Sequence, residues 1–225
     1  MGGHPVTDVR VDAQVRKAAD LLRAKGRPDP ADALIRMLAA PPKAKPSVHV
    51  AGEAKVGKSS LVNALLSRSG LSPVGAEPTT SAPITFFFSE QPGANVLRYG
   101  EAEPSPIAVE QAMCLATVAG NPGNEENIRA VSIAVDSPLL AGMNLVDTPG
   151  VGGLDSGHGA LTLQSLADAE ALVFVTDATA PIRAAELDFL RRASARIESV
   201  VLVITKIDAN RGWRTILDDD RAIIK

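Results

Sequence analysis

The chain has 225 residues, a formal net charge of −3 at pH 7 and a single cysteine, Cys114. At roughly 100–200 residues per domain this is one domain, or one with an appendage. The lack of a basic excess argues against a general nucleic-acid binder, one cysteine can form no intrachain disulfide and suits a reducing cytosol, and no apolar run approaches the ~18 residues that span a bilayer.

Met1-Gly2-Gly3-His4 lacks the charged and apolar regions of a secretory signal, and Val6 stands where a myristoylated chain carries Ser or Thr, so neither is expected. Residues 8–40 read as two helices. Val11, Val15, Ala18 and Leu22 give the first an apolar stripe; Gly26 and Pro28 end it. Asp29 as N-cap and Pro30 at the first helical position start the second. Residues 41–46, rich in proline, form a linker. The expected division is therefore 1–45, a helical segment with its linker, and 46–225, the main domain.

Beyond the linker, strand and helix alternate. Strands are expected at 48–51, 84–89, 129–136, 143–146, 172–176 and 200–204, and helices at 58–67, 107–118, 161–171, 184–197 and 211–225. The run at 200–204 is apolar throughout, as in a strand covered on both faces. This alternation predicts a mostly parallel α/β sheet with helices on both faces. Residues 120–127 read as a surface loop, and 91–123 as an insertion.

Gly52-Glu53-Ala54-Lys55-Val56-Gly57-Lys58-Ser59, followed by Ser60, lies between a strand and a helix and matches the phosphate-loop pattern. Glycines let backbone N–H groups turn inward around phosphates, and the helix N-terminus adds positive potential. Lys58 is placed to bridge the β- and γ-phosphates, and the Ser59 hydroxyl to ligate Mg²⁺. The plain alternative, a Gly-rich turn without a ligand, rarely carries Lys-Ser after its second glycine. Asp147-Thr148-Pro149-Gly150 ends the strand at 143–146; Asp147 there can hold Mg²⁺ and the Gly150 amide can sense the γ-phosphate. Glycines at 150, 152, 153, 157 and 159 fit a switch or a plain flexible loop. Thr205-Lys206-Ile207-Asp208 closes the last strand. Asp208 can accept from guanine N1–H and N2–H together, a donor pair that adenine lacks, and the Lys206 stem can cover the base; a solvated strand end is the bland reading. Between the helix at 58–67 and the strand at 84–89, Thr79 and Thr80 compete as the threonine that completes the Mg²⁺ shell.

Four motifs in this order resemble the GTPase superfamily, and in detail the dynamin superfamily, particularly bacterial dynamin-like proteins. The residues that carry this are Gly52-Glu53-Ala54-Lys55, Thr80-Ser81-Ala82-Pro83, Thr205 where many GTPases have Asn, and Trp213-Arg214-Thr215-Ile216-Leu217. In dynamins the switch threonine stands three residues before a proline, which favours Thr80. The resemblance covers 48–225 well and 1–45 loosely. It implies a P-loop GTPase using GTP, with GDP as product, and Mg²⁺ held by Ser59, Thr80 and Asp147. Nucleotide contacts would come from Gly52 to Ser60, Gly150, Thr205, Lys206 and Asp208, and Lys55, Lys58 and Thr80 would act in hydrolysis. It also implies a neck-like N-terminal segment, a homodimer formed across the nucleotide face, a cytoplasmic place at the inner face of the plasma membrane, and membrane contact only through regions outside this sequence. Because a GTPase continues past such a helix to a further strand, base loop and helix, the chain is expected to be C-terminally incomplete.

Val151 follows Gly150 where small GTPases have a water-orienting Gln; an apolar side chain cannot orient water, so another group must. Lys55, fourth in the phosphate loop, faces the region where charge develops between β- and γ-phosphate. It either supplies charge in cis when two such faces meet or is a solvated lysine. An Era-like ribosome-assembly or translation GTPase is the alternative function, although such proteins usually carry Asn at positions 55 and 205 and an RNA-binding module. A nucleotide-gated binding module without hydrolysis is a third, at odds with the intact Lys58, Ser59 and Asp147. His49 and Phe86–Phe88 read as strand packing, and 183–196 as a helix with a solvated charged face.

Overall fold

The computed structural model describes residues 9–26, 30–31, 45–74, 80–150, 166 and 168–224. The chain divides into two units, residues 1–44 and 45–225.

In the first unit, α1 spans Val9–Ala24. Val15 and Leu22 are half-buried and Ala19 fully buried, while Ala18 is exposed. The apolar stripe thus runs through Ala19 rather than Ala18, because positions i, i+4 and i+7 share one helical face. Of the second expected helix, Pro30 and Ala31 are described and are helical; the rest lies outside the described residues.

The second unit is an eight-stranded sheet with helices α2 (Lys58–Leu65), α3 (Val109–Leu115), α4 (Ala184–Ser194) and α5 (Trp213–Ile224) among its described residues. The strands are β1 (Ser47–Ala51), β2 (Ile84–Phe88), β3 (Gly93–Arg98), β4 (Ser105–Ile107), β5 (Ile128–Val135), β6 (Asn144–Asp147), β7 (Ala171–Asp177) and β8 (Ser199–Thr205). Their spatial order is β4-β3-β5-β2-β6-β1-β7-β8. The contiguous run β6-β1-β7-β8 is parallel, and β2 is parallel to β5. Antiparallel pairs join β2 to β6, β3 to β5 and β3 to β4. The parallel core is the expected α/β arrangement; the antiparallel part is larger than the sequence implied, because the stretch read as an insertion contributes two strands and a helix of its own. Ile107, expected to open a helix, ends β4, and the helix starts at Val109. The helix expected at 161–171 falls largely outside the described residues, and Ala171 opens β7.

Successive strand residues face opposite sides of a sheet, and two apolar cores follow. Val50, Ile84, Phe86, Ile133, Leu145 and Val175 pack with Val62 and Leu66 of the α2 region. Ala51, Leu172 and Phe174 pack with Phe189, Leu190 and Ala193 of α4. Phe86 is fully buried, and His49 is buried within β1, so both serve packing as expected. The 120–127 loop is tied by Asn121 and Asn124: Glu126 N donates to Asn121 Oδ1 at 3.1 Å, and Ile128 N donates to Asn124 Oδ1 at 2.9 Å. These bonds lead the chain from α3 into β5.

Candidate nucleotide-binding site

The C-terminal ends of β1, β6, β7 and β8 lie side by side because these strands are parallel and in register. In open α/β sheets this edge is where ligands bind.

The loop from β1 to α2 makes its turn at residues with left-handed φ: Lys55 at 67° and Gly57 at 98°. Gly52 is required for a different reason: a Cβ built there would stand 2.1 Å from the Val175 carbonyl oxygen, so only glycine lets the loop lie against β7. Lys58, at the start of α2, is buried and donates from Nζ to the Glu53 carbonyl at 2.7 Å. Burial pushes its pKa down, opposed by the charges of Asp147 and Glu53. Ser60, two residues further along the helix, is exposed.

Asp147 is the last residue of β6 and is fully buried. The Ser59 hydroxyl donates to its Oδ2 at 2.8 Å, and the Ser72 hydroxyl donates to the same oxygen. Oδ1 is buried without a hydrogen-bond partner among the described residues. Burial pushes the Asp147 carboxyl up, while the bonds from Ser72 and Ser59 and the Lys58 charge pull it down. A buried carboxylate oxygen without a donor beside a serine hydroxyl oxygen is a hard donor set. It fits Mg²⁺, which takes few protein ligands and completes its shell with phosphate oxygens and water. Thr148 anchors the following turn by donating to the Val50 carbonyl at 2.8 Å. Gly150 then passes so close to the loop that an added Cβ would lie 2.9 Å from Ala54 Cα.

Thr205 directs its hydroxyl to the Val56 carbonyl and, at 3.1 Å, to the Thr176 carbonyl. It joins β8 to the phosphate loop. Lys206 has a φ of 54°, and its Nζ pairs with Asp177 Oδ2 at 2.8 Å. Burial pushes the Asp177 carboxyl up, but hydrogen bonds from Lys206 and Thr179 outweigh it and hold its pKa below the ordinary value of 3.8. Asp208 is exposed in the turn that follows. Beside these residues opens a cleft of about 270 Å³ lined by Glu53, Lys55, Asp177, Thr179, Arg183 and Lys206, among others.

The structure therefore brings together Lys58, Ser59 and Asp147, sets Gly150 against Ala54, and ties Thr205 to Val56. Thr80 stands apart from this group. It forms an antiparallel bridge with Thr117, and the neighbouring Ser81 N donates to the Ala116 carbonyl at 2.8 Å. Among the described residues no hydrogen bond joins it to Ser59 or Asp147. Thr79, Val151 and the switch expected after Gly150 lie outside the described residues. Three participants were not singled out in the sequence. Ser72 sits in a Ser-Pro turn without motif. Asp177 ends a parallel strand beside β1, a position that could have drawn attention. Arg183, read as part of a solvated face and indeed 64% exposed in its side chain, also caps α4 and pairs with Glu53 of the phosphate loop, while its N–H donates to buried Glu186 at 2.9 Å. Burial pushes the Glu186 carboxyl up.

An α/β sheet whose phosphate loop, strand-end Asp and Thr-Lys-x-Asp turn converge on one edge defines a P-loop GTPase type of fold. Residues 48–208 match the dynamin family, and the chain belongs to it. It is 33% identical over 180 residues to the isoniazid-induced protein IniA of Mycobacterium tuberculosis, covering 78% of this chain and 28% of that protein. It is 30% identical over 167 residues to a probable transmembrane GTPase, FZO-like and chloroplastic, of Arabidopsis thaliana, covering 74% of this chain and 16% of that one. A solved structure of an oligomerised bacterial dynamin pair, described as sensing and tethering membranes, superposes with a TM-score of 0.63 at 18% identity, over 89% of this chain and 31% of that chain. The chain thus spans under a third of the length of these relatives.

Proposed function

We propose that this chain is the GTP-binding and GTP-hydrolysing head of a dynamin-like protein. The observation that carries this reading is the bond from half-buried Ser59, next to buried Lys58 in α2, to fully buried Asp147, whose other carboxylate oxygen has no partner among the described residues. In this reading the amides of Gly52 to Ser60 cradle the phosphates and Lys58 bridges the β- and γ-phosphates. Ser59, Asp147 and Thr80 hold Mg²⁺, which neutralises phosphate charge when bound. For Thr80 to take part, the segment before β2 must shift from its bridge to Thr117. Gly150 senses the γ-phosphate. Thr205, Lys206 and Asp208 hold the guanine, with Asp208 closing on it from its exposed turn. Lys55, exposed at the mouth of the cleft, supplies positive charge in cis during transfer.

The dynamin-family match and the bacterial dynamin likeness support a head that pairs with a second copy across the nucleotide face, and a protein that works cytoplasmically on the inner face of a membrane through other regions. No helix among the described residues is long and apolar enough to cross a membrane. The test is GTP turnover per molecule against protein concentration, with ATP as control. Turnover for GTP alone that climbs with concentration is expected. GTP turnover that stays flat overturns the pairing, and equal use of ATP overturns the guanine assignment. Lys55→Ala with unchanged turnover removes Lys55 from the chemistry.

A further inference from the structure

We infer that Ser72 is a positioning residue of the metal site: it fixes the Asp147 carboxylate so that Oδ1 stays aimed at the ion. This rests on the GTPase reading above. Ser72 lies in the turn after α2, outside all four nucleotide motifs, and is fully buried. Its backbone is gripped on both sides by one side chain. Ser72 N donates to Asn63 Oδ1 at 2.7 Å, and Asn63 Nδ2 donates to the Ser72 carbonyl at 2.8 Å. Its hydroxyl donates to Asp147 Oδ2.

Asn63 is four residues after Ser59, so both lie on one face of α2. That face reaches Asp147 twice: directly through the Ser59 hydroxyl, and indirectly through Asn63 and Ser72. The result is a closed ring of Asp147, Ser59, Asn63 and Ser72. Among the described residues, two donors converge on Oδ2 and none on Oδ1. A carboxylate tethered at one oxygen by two donors cannot turn freely, so the direction of its other oxygen is set. The two donors have different duties. Ser59 must also offer its oxygen to the ion, whereas Ser72 holds the carboxylate alone. Partners of this kind orient metal ligands and typically account for 10–100-fold in metal affinity.

The test uses the full chain with GDP and Mn²⁺ as the probe, free Mn²⁺ being read by electron paramagnetic resonance. Ser72→Ala is expected to weaken Mn²⁺ binding by about tenfold or more, with GDP affinity in excess chelator unchanged. Ser72→Thr keeps the hydroxyl and restores most of the Mn²⁺ affinity. If Ser72→Ala does not fold, Ser72→Cys, close in size with a weak S–H donor, must weaken Mn²⁺ in the same sense. Mn²⁺ binding as tight as wild type in the alanine or cysteine variant overturns the inference. So does an equal loss of GDP affinity in chelator, which marks a merely structural role. A wild-type chain that shows no GDP-dependent Mn²⁺ site overturns the GTPase reading itself, a result distinct from both.

Discussion

At Gly52 the phosphate loop passes against the backbone of β7 with no room for a methyl group, since the added Cβ would sit 2.1 Å from Val175 O. The obstacle is backbone in a buried strand, which cannot swing away as a side chain would. Gly52→Ala is expected to cost at least the 1–3 kcal/mol typical of overpacking, read as a lower urea midpoint with an unchanged slope. Lys206 tests a charge rather than a volume. The Asp177 pKa is held below 3.8 in the fold by Lys206 and Thr179 against the opposing push of burial. A depressed carboxyl contributes stability that is complete above its unfolded value and fades as pH falls through the folded one. Lys206→Ala moves Asp177 back toward 3.8, so acid unfolding followed by circular dichroism should lose part of its steepness below the ordinary carboxylate range. The Lys206 side chain is 42% exposed, so the effect is a small one. The two residues also mark how far the sequence could be read. Gly52, Lys58, Ser59, Asp147 and Thr205 were legible because their spacing is dictated by the geometry of a phosphate and a strand end. Ser72 and Arg183 were not, because each reaches its partner, 75 and 130 residues away, only after the sheet has formed.

Among the elements, the strands at 48–51, 172–176 and 200–204 were legible from their apolar, β-branched runs, but the apolar run at 200–204, expected to be covered on both faces, forms the edge strand β8 with Val201 56% exposed, so run and burial parted there. β3 did not. Its run of Gly93, Ala94, Asn95, Val96, Leu97 and Arg98 mixes weak strand formers with two small residues, and only Ala94 and Val96 are buried. Its strand character comes from pairing with β5 and β4, context that outweighs local preference. The antiparallel pairs that β3 makes with β5 and β4 were missed for this reason. On the other face, β7 and α4 meet through Phe174 and Phe189, whose ring centroids are 5.6 Å apart. Phe174 is completely buried. Phe174→Ala is expected to cost about 3–5 kcal/mol, as deep phenylalanine truncations do, while Phe174→Leu should cost less than about 1.5 kcal/mol because most of the volume is kept. Chemical denaturation of the two variants separates cavity formation from loss of the ring contact.

For the molecule as a whole, the two edges of the sheet are unlike. β4 is three residues long and carries Pro106, features that blunt an edge. β8 is seven residues long and nearly all aliphatic, lies last in the strand order, and leaves Val201 56% exposed. Among the described residues nothing pairs with its outer side. A long apolar edge of this kind recruits other strands, so the isolated chain should self-associate by way of β8. Val201→Lys is expected to lower light scattering on concentration without lowering the thermal midpoint. The same strand ends in Thr205, which holds the Val56 and Thr176 carbonyls from one hydroxyl. The turn at 205–208 and the cradle at 52–60 are thereby bolted together like the jaws of a caliper. A ligand that engages both is gauged for length as well as for its chemical groups, and one too short to bridge the gap can occupy only a single jaw.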